Sequence, residues 1–174
     1  YYFSRIVHFI FRNYKKYFYN KLCNFYEIFY PQDYFIDWNK LYGKKGFFQI
    51  QFIIPKNKFK KIVTEISSFF EKEKIFSPFI IVKRYNEKGK YLNFCGLGYS
   101  ISLDFEINKN FKIIKLFFNS IIKKYKLKVN FAKDLVVNKI NASNYSEFKI
   151  FKKEILLLNP QKKINSFFSK RLEI

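Results

Sequence analysis

In the stretch GFFQIQFIIP, residues 46–55, every second side chain is apolar and the set between them includes two glutamines, a pattern that few folds can accommodate. Successive side chains of a strand point to opposite faces of its sheet. One face of this strand would be wholly apolar, while the other would carry Gln49 and Gln51, which suit strands poorly and cost energy when buried without partners. We therefore expect helices against the first face. The second face would be either solvated or in contact with a ligand or another domain.

The segments that follow have the pattern of an α+β domain. Apolar side chains recur at helical spacing over residues 58–74 and 110–126. Strand patterns cover residues 79–85, 98–107 and 128–131. This order predicts a ferredoxin-like split β-α-β fold, an antiparallel four-stranded sheet with both helices on one face. The other face would hold a polar set of side chains: Gln49, Gln51, Lys83, Ser100, Ser102 and Asp104.

Further helices are expected at both ends of the chain. Residues 1–30 are aromatic and basic at helical spacing, which predicts a helix that lies on a membrane surface or packs on another domain. Residues 33–42 read as a short helix before Gly43. A helix over residues 145–158 would open with an Asn or Ser cap around Asn144 and end before Pro160.

The composition restricts the possible partners. The formal net charge is +21, but the lysines are spread along every segment, and A/T-rich codons account for the abundance of Phe, Ile, Tyr, Asn and Lys. We find no zinc-finger spacing and no aromatic-glycine RNA-binding signature, so no nucleic-acid partner is expected. Attraction to an anionic lipid surface or a polyanionic substrate remains an expectation. The sequence has no methionine, which predicts that it is a fragment of a longer protein.

Cysteine and histidine usage excludes several kinds of site. Cys23 and Cys95 are too few and too far apart for a disulfide framework or a metal site, so both are expected to be free in a reducing, cytoplasmic compartment. His8 is the single histidine, which excludes a His-rich metal centre and a His-dependent triad. The sequence has no uncharged apolar run of about 18 residues, the length that would span a bilayer.

Residues 30–55, YPQDYFIDWNKLYGKKGFFQIQFIIP, resemble a known segment. The resemblance is to the start of the substrate domain in FAD-linked oxidoreductases of the decaprenylphosphoryl-β-D-ribose oxidase type, within the vanillyl-alcohol-oxidase superfamily. Ala132-Lys133-Asp134 is similar to the A-K-D motif of that family. Asn159-Pro160 and Lys170-Arg171-Leu172 are similar to its C-terminal signature. The matching positions in the first segment are Tyr30, Pro31, Asp33, Trp38, Asn39, Tyr42, Gly43, Gly46, Gln49, Gln51 and Pro55.

The resemblance implies a two-domain flavoenzyme, in which an N-terminal domain binds FAD and a ferredoxin-like domain caps the flavin and forms the substrate pocket. This chain would hold the second part, so most contacts to FAD would lie in a domain outside it and the fragment would be inactive alone. None of its five glycines forms a phosphate-binding fingerprint, which agrees with an FAD site outside this chain. The implied division is a lead-in over residues 1–45 that packs on the FAD domain, a cap domain over 46–134, and a C-terminal helix and tail over 135–174.

The resemblance also implies site residues. Lys133 matches the catalytic lysine that reaches both the flavin and the substrate, where it would stabilise negative charge or hold the hydroxyl being oxidised. Asn130 stands where the family often has a flavin-contacting tyrosine. Ser100 and Ser102 stand where members have Asn and Cys, so the pocket and its substrate are expected to differ. The implied substrate-binding residues are Gln49, Gln51, Lys83, Ser100 and Ser102.

The function implied is oxidation of a sugar secondary alcohol by FAD. In the family the substrate is a polyprenylphosphoryl ribose, oxidised at the 2-position in cell-envelope arabinose synthesis with a short-chain reductase partner, which suits a cytoplasmic enzyme peripheral to the inner membrane. One alternative is a sugar-1,4-lactone oxidase, although the chain has no histidine after His8 for the His-Trp-x-Lys motif of that group. Another is a ferredoxin-like RNA-binding module, which would need aromatic side chains on the exposed sheet face.

Overall fold

The structure is a computed structural model that describes residues 6, 9–10, 13, 24–26, 40, 42–86, 93–143 and 145–174. The described residues exclude Cys23. They also exclude most of the predicted N-terminal helix over residues 1–30 and of the short helix over residues 33–42. No helix in the described ranges is long and apolar enough to cross a membrane.

The predicted α+β fold is confirmed. Four strands form one sheet in the order β2-β3-β1-β4, and each neighbouring pair is antiparallel. With one helix after β1 and one after β3, this is the split β-α-β arrangement. The strands are β1 (Phe47–Ile54), β2 (Ile80–Asn86), β3 (Leu97–Glu106) and β4 (Lys128–Val129). The described helices are α1 (Phe59–Lys72), α2 (Phe111–Tyr125), α3 (Lys139–Ser143), α4 (Ser146–Leu158) and α5 (Phe167–Leu172).

One face of the sheet packs against α1 and α2, as the alternation of β1 predicts. Phe52 lies with its ring 5.8 Å from that of Phe118 on α2. Phe105 on β3 makes an edge contact with Phe70 on α1 at 5.6 Å. Phe52, Phe105 and Phe118 are almost fully buried, and full burial of such a side chain contributes about 1.5–3 kcal/mol. This layer is the centre of the hydrophobic core.

The C-terminal part packs into the same core instead of lying apart from it. Val136, Val137 and Leu172 are fully buried, and Phe148 on α4 is 3% exposed. The ring of Phe131 after β4 contacts Phe148 and two further rings of this segment. Residues 135–174 therefore help to hold the end of β4 in place. The division of the chain into three domains stays a prediction.

The differences from the predicted elements are local. The fourth strand ends at Val129 rather than residue 131, because the chain turns at Asn130 into a 3-10 turn over Phe131–Lys133. The predicted Asn or Ser cap of the third helix is wrong, since α4 has Tyr145 as its N-cap and no capping side-chain hydrogen bond. The helix α5 was not predicted. It begins after Ser166, which forms a reciprocal capping box with Ser169.

Candidate functional site

The polar side chains of β1 and β3 line the sheet face opposite α1 and α2. The strand register pairs Gln49 with Asp104, and Gln51 with Ser102. Along both strands these positions alternate with the apolar residues that pack on the helices, so the polar side chains point away from the helices. We call this set the polar row: Gln49, Gln51, Ser100, Ser102 and Asp104.

The polar row is buried, so the interpretation of this face as a solvated one is wrong. Ser100 is fully buried, and Asp104, Ser102 and Gln51 are 2%, 3% and 7% exposed. Only Gln49 is half-buried. Hydrogen bonds compensate the cost of burying most of these groups, because they join members of the row to each other and to neighbouring loops. Periodicity identified the face as polar but could not show what covers it.

Asp104 is the centre of one half of the network. Its carboxylate accepts hydrogen bonds from the Gln49 amide at 2.7 Å and from the Tyr42 hydroxyl at 3.1 Å. Burial raises the pKa of Asp104 above its ordinary value, although the hydrogen bonds from Gln49 and Tyr42 and the nearby charge of Lys133 oppose the rise. Burial and the Asp104 charge together raise the pKa of Tyr42. Tyr42 is thus held as a neutral hydrogen-bond donor to a buried carboxylate.

Gln51 is the centre of the other half. Its amide donates to Ser100 Oγ at 2.9 Å, and its side-chain oxygen accepts from Asn130 Nδ2 at 2.8 Å. The Asn130 backbone N–H also donates to the Gln51 carbonyl at 2.8 Å. Asn130 is therefore joined to β1 through both its backbone and its side chain, just before the turn that carries Lys133.

The turn over Phe131–Lys133 brings Lys133 to the edge of the polar row. Asn130 Oδ1 accepts from the Ala132 backbone N–H at 3.1 Å, and the Lys133 N–H donates to the Asn130 carbonyl at 3.0 Å. The Lys133 side chain is exposed, and its charge lies close enough to Asp104 to lower the pKa of that carboxyl. The turn thus presents an accessible ammonium at the edge of the polar row, near the buried Asp104 carboxylate.

Asp134 holds the other end of this turn. Its Oδ1 accepts from the backbone N–H groups of Val136 and Val137 at 2.7 and 2.9 Å. Arg171 of α5 donates to the Asp134 carbonyl at 2.8 Å and forms an ion pair with Asp134 Oδ2 at 3.1 Å. Burial raises the pKa of Asp134, although the charge of Arg171 and the two backbone donors oppose it. The A-K-D motif therefore places one exposed lysine next to one buried, anchored carboxylate.

Ser102 differs from the rest of the row. Its hydroxyl is buried and has no hydrogen-bond partner among the described residues. A buried hydroxyl without a partner is uncommon in folded proteins. Lys83 lies on the edge strand β2, opposite Ser100 in the register, and its side chain is exposed. The sheet thus brings all five predicted substrate-binding residues to one face, with Lys133 and Asn130 at its border.

Three residues of this site, Tyr42, Ser77 and Asp104, were given no role in it by sequence reasoning. Tyr42 and Ser77 reach Asp104 from loops, the second by accepting from the Asp104 backbone N–H at 3.2 Å. Asp104 itself was placed on the polar face but given no role. Its signal was the alternation of β3, which assigned a carboxylate to the polar face of the sheet. Tyr42 was a matching position of the resemblance, but no local pattern indicated its contact with Asp104, which spans 62 residues of sequence.

The described part of the chain offers no metal centre, since no group of three or more His, Cys, Asp or Glu side chains comes together within it. Cys95 is a free, half-buried thiol whose Sγ lies 3.0 Å from Asn93 Oδ1. The chemistry available near the row is therefore that of amides, hydroxyls, a carboxylate and the Lys133 ammonium.

The chain has partial similarity to a curated enzyme. It is 37% identical over 67 residues to decaprenylphosphoryl-beta-D-ribose oxidase of Mycolicibacterium smegmatis, a match that covers 34% of this chain and 15% of that protein. No protein-family profile matches the chain. The similarity supports a distant relationship to an oxidase. It spans a small part of the relative, so the activity, substrates and partners of the whole enzyme do not follow from it.

Proposed function

We propose that this chain forms the substrate-capping part of an FAD-linked oxidoreductase that oxidises a secondary alcohol of a sugar. The single observation that carries the proposal is the position of Lys133, an exposed ammonium held at the edge of the polar row by Asn130. The partial similarity to decaprenylphosphoryl-beta-D-ribose oxidase supports the same reaction class. A polyprenylphosphoryl sugar is the substrate that the proposal names.

The residues around Lys133 fit a flavin in the chemistry they offer. Reduction of a flavin places negative charge on its ring, and a cation beside the ring stabilises that charge. Lys133 supplies such a cation, and Asn130 lies next to it. FAD, when bound, would supply the capacity to accept a hydride from the substrate carbon. Most contacts to FAD would come from polypeptide outside this chain.

The polar row serves this proposal as a rigid platform and not as a set of free hydrogen-bond donors. Gln51 and Ser100 are buried and already bonded to each other, so their role is to hold Asn130 and the turn in position. The groups that remain accessible to a substrate are Lys133 and Lys83, together with the half-buried Gln49. Such preorganisation lowers the cost of placing a charged group beside a reacting atom.

The test is anaerobic stopped-flow reduction of the bound flavin by a polyprenylphosphoryl ribose, in the longest polypeptide that contains this chain. We expect Lys133→Ala to slow flavin reduction by about 100-fold or more. The matched control is Lys112→Ala, which removes an exposed lysine from α2 on the opposite side of the sheet. A polypeptide without flavin, or a Lys133→Ala variant that reduces flavin as fast as Lys112→Ala, would overturn the proposal.

A further inference from the structure

A second site lies at the end of the sheet where β1 stops and β3 begins. The cleft there has a volume of about 660 Å³, within the range of small-molecule sites. Lys56 and Asn57 border it from the turn after β1, and Arg84 and Asn86 border it from β2. Tyr99 of β3 provides an aromatic wall.

This cleft is separate from the polar row. Arg84 pairs with Tyr99 in the strand register, and the Tyr99 ring lies 4.8 Å from that of Phe59 on α1. The two residues therefore face the helix side of the sheet, whereas Gln51 and Asp104 face the other side. A ligand in the cleft would be on the opposite surface from Lys133.

The charged residues that the structure describes around the cleft are all cationic. Among the described residues that line the cleft, Lys56 and Arg84 are the ionised ones, and no described carboxylate lies within 4 Å of either of them. Asn86 accepts a hydrogen bond from Arg84 Nε at 3.3 Å, which helps to fix the guanidinium group. Arg and Lys at one site, with nearby amide donors, are suited to an anion with several oxygen acceptors.

The floor of the cleft is preformed by the packing of Gly98. Its φ of +145° and its close approach to β1 are possible only without a side chain, because a Cβ there would lie 2.1 Å from the Ile54 carbonyl oxygen. The backbones of β1 and β3 are therefore in direct contact beneath the cleft. A fixed backbone floor leaves only the side chains around it to be ordered on binding, which lowers the entropic cost.

We propose that this cleft binds the phosphate group of a small organic phosphate, with Arg84 and Lys56 as the anion-binding residues. Tyr99 contacts the organic part of the ligand. This site is independent of the proposed oxidoreductase activity, and either could exist without the other.

Isothermal titration with inorganic pyrophosphate at physiological salt tests the proposal on the 174-residue chain. We expect saturable binding by the wild type and at least about a tenfold loss in Arg84→Gln, which is a loss expected for one charge-assisted contact. The control Lys123→Gln makes the same change in net charge. Lys123 is an exposed residue near the end of α2, away from the cleft, so this variant should bind within about twofold of wild type. Lys56→Gln is the second cleft variant, should Arg84→Gln be poorly folded.

The same variants distinguish the sources of the phosphate. A second titration uses phosphatidylcholine vesicles that contain phosphatidic acid. Binding to these vesicles that is lost in Arg84→Gln but kept in Lys123→Gln would support a lipid headgroup as the source. Equal weakening by Arg84→Gln and Lys123→Gln would show attraction to the overall charge of +21 and would overturn the site. Absence of binding to both probes would overturn it as well.

Discussion

The Asn130 side-chain amide donates a hydrogen bond to the Gln51 side-chain oxygen at 2.8 Å, across 79 residues of sequence. Asn130 also accepts from the Ala132 backbone N–H, so one side chain links β1 to the turn before Lys133. We expect Asn130→Ala to reduce the free energy of unfolding by about 1–3 kcal/mol, because it leaves the buried Gln51 side-chain oxygen unpaired and removes the bond that closes the turn. Denaturation in urea measures this loss.

Asn130→Asp separates the two bonds. Aspartate still accepts from Ala132 but cannot donate to Gln51, so we expect it to keep the turn while it loosens the turn's attachment to β1. Amide hydrogen exchange at Lys133 reports the turn itself. Exchange that is equally fast in both variants would contradict the idea that the Asn130 side chain closes the turn.

Ser100 and Ser102 are a matched pair of buried serines with opposite expected effects. Ser100 accepts the Gln51 amide at 2.9 Å, so Ser100→Ala should reduce the free energy of unfolding by about 1–3 kcal/mol. Ser102 has no partner among the described residues, so Ser102→Ala should be neutral or stabilising by a few tenths of a kcal/mol or more. Urea denaturation of the two variants gives the comparison. A larger loss in Ser102→Ala would mean that its hydroxyl has a partner beyond the described part of the chain.

Gly98 and Gly46 form a second matched pair, since both have positive φ. At Gly46 a Cβ would meet nothing within 4 Å, so Gly46→Ala should cost only the backbone strain of about 1–2 kcal/mol. At Gly98 a Cβ would overlap the Ile54 carbonyl, so Gly98→Ala should cost clearly more, about 3 kcal/mol or greater. Thermal unfolding ranks the two. Equal losses of stability in the two variants would show that β1 and β3 move apart at Gly98 without cost, and would contradict this prediction.

The sequence predicted most of the fold, because the elements depend on local periodicity. The alternation around Ile50 and Leu103 and the apolar stripe that includes Ile62 required no knowledge of distant residues, and all three side chains are buried as expected. Element ends shifted by one or two residues where turn geometry decided them, as at Val129. The start of the short helix α5 is marked by the capping pair Ser166 and Ser169. The pattern of apolar residues did not reveal this helix.

The candidate site was less predictable, because its geometry depends on contacts between distant segments. Alternation assigned Gln51 and Asp104 to one face, but it could not show that both would be buried. Tyr42 reaches Asp104 across 62 residues, and Arg171 reaches Asp134 across 37. No local pattern encodes such pairs. The resemblance to a family identified Lys133, Asn130 and Gln51 as candidates, whereas the hydrogen bonds by which Asn130 and Gln51 hold the turn came only from the structure.

Asp104 gives a prediction on pH. Burial raises its pKa above the ordinary value of 3.8, so the folded chain binds this proton more tightly than the unfolded chain. The stability that protonation contributes is complete below pH 3.8 and is lost as the pH rises through the folded pKa. We therefore expect the stability of wild type, relative to Asp104→Asn, to fall as the pH rises from 3.8 through the raised pKa of Asp104. Urea denaturation across this range measures the difference.

A control for overall charge is needed, because the chain carries a net charge of +21. Glu106→Gln removes an exposed carboxylate from the end of the same strand. We expect the difference in stability between wild type and Asp104→Asn to depend on pH, and the difference between wild type and Glu106→Gln to lack this dependence. A difference between wild type and Asp104→Asn that stays flat with pH, or that rises with pH, would contradict the raised pKa.

Arg171 and Asp134 form an ion pair whose side chains are 12% and 0% exposed. Loss of one partner from a buried pair leaves the other charge without compensation, so Arg171→Met should reduce the free energy of unfolding by about 3–5 kcal/mol near neutral pH. Arg171→Lys keeps the charge but cannot reach both the carbonyl and the carboxylate of Asp134, so an intermediate loss is expected. Because burial raises the pKa of Asp134, protonation at lower pH removes the uncompensated charge, and the penalty of Arg171→Met should shrink as the pH falls. Urea denaturation of the three proteins at several pH values tests this, and a penalty that does not depend on pH would show that Arg171 acts through packing alone.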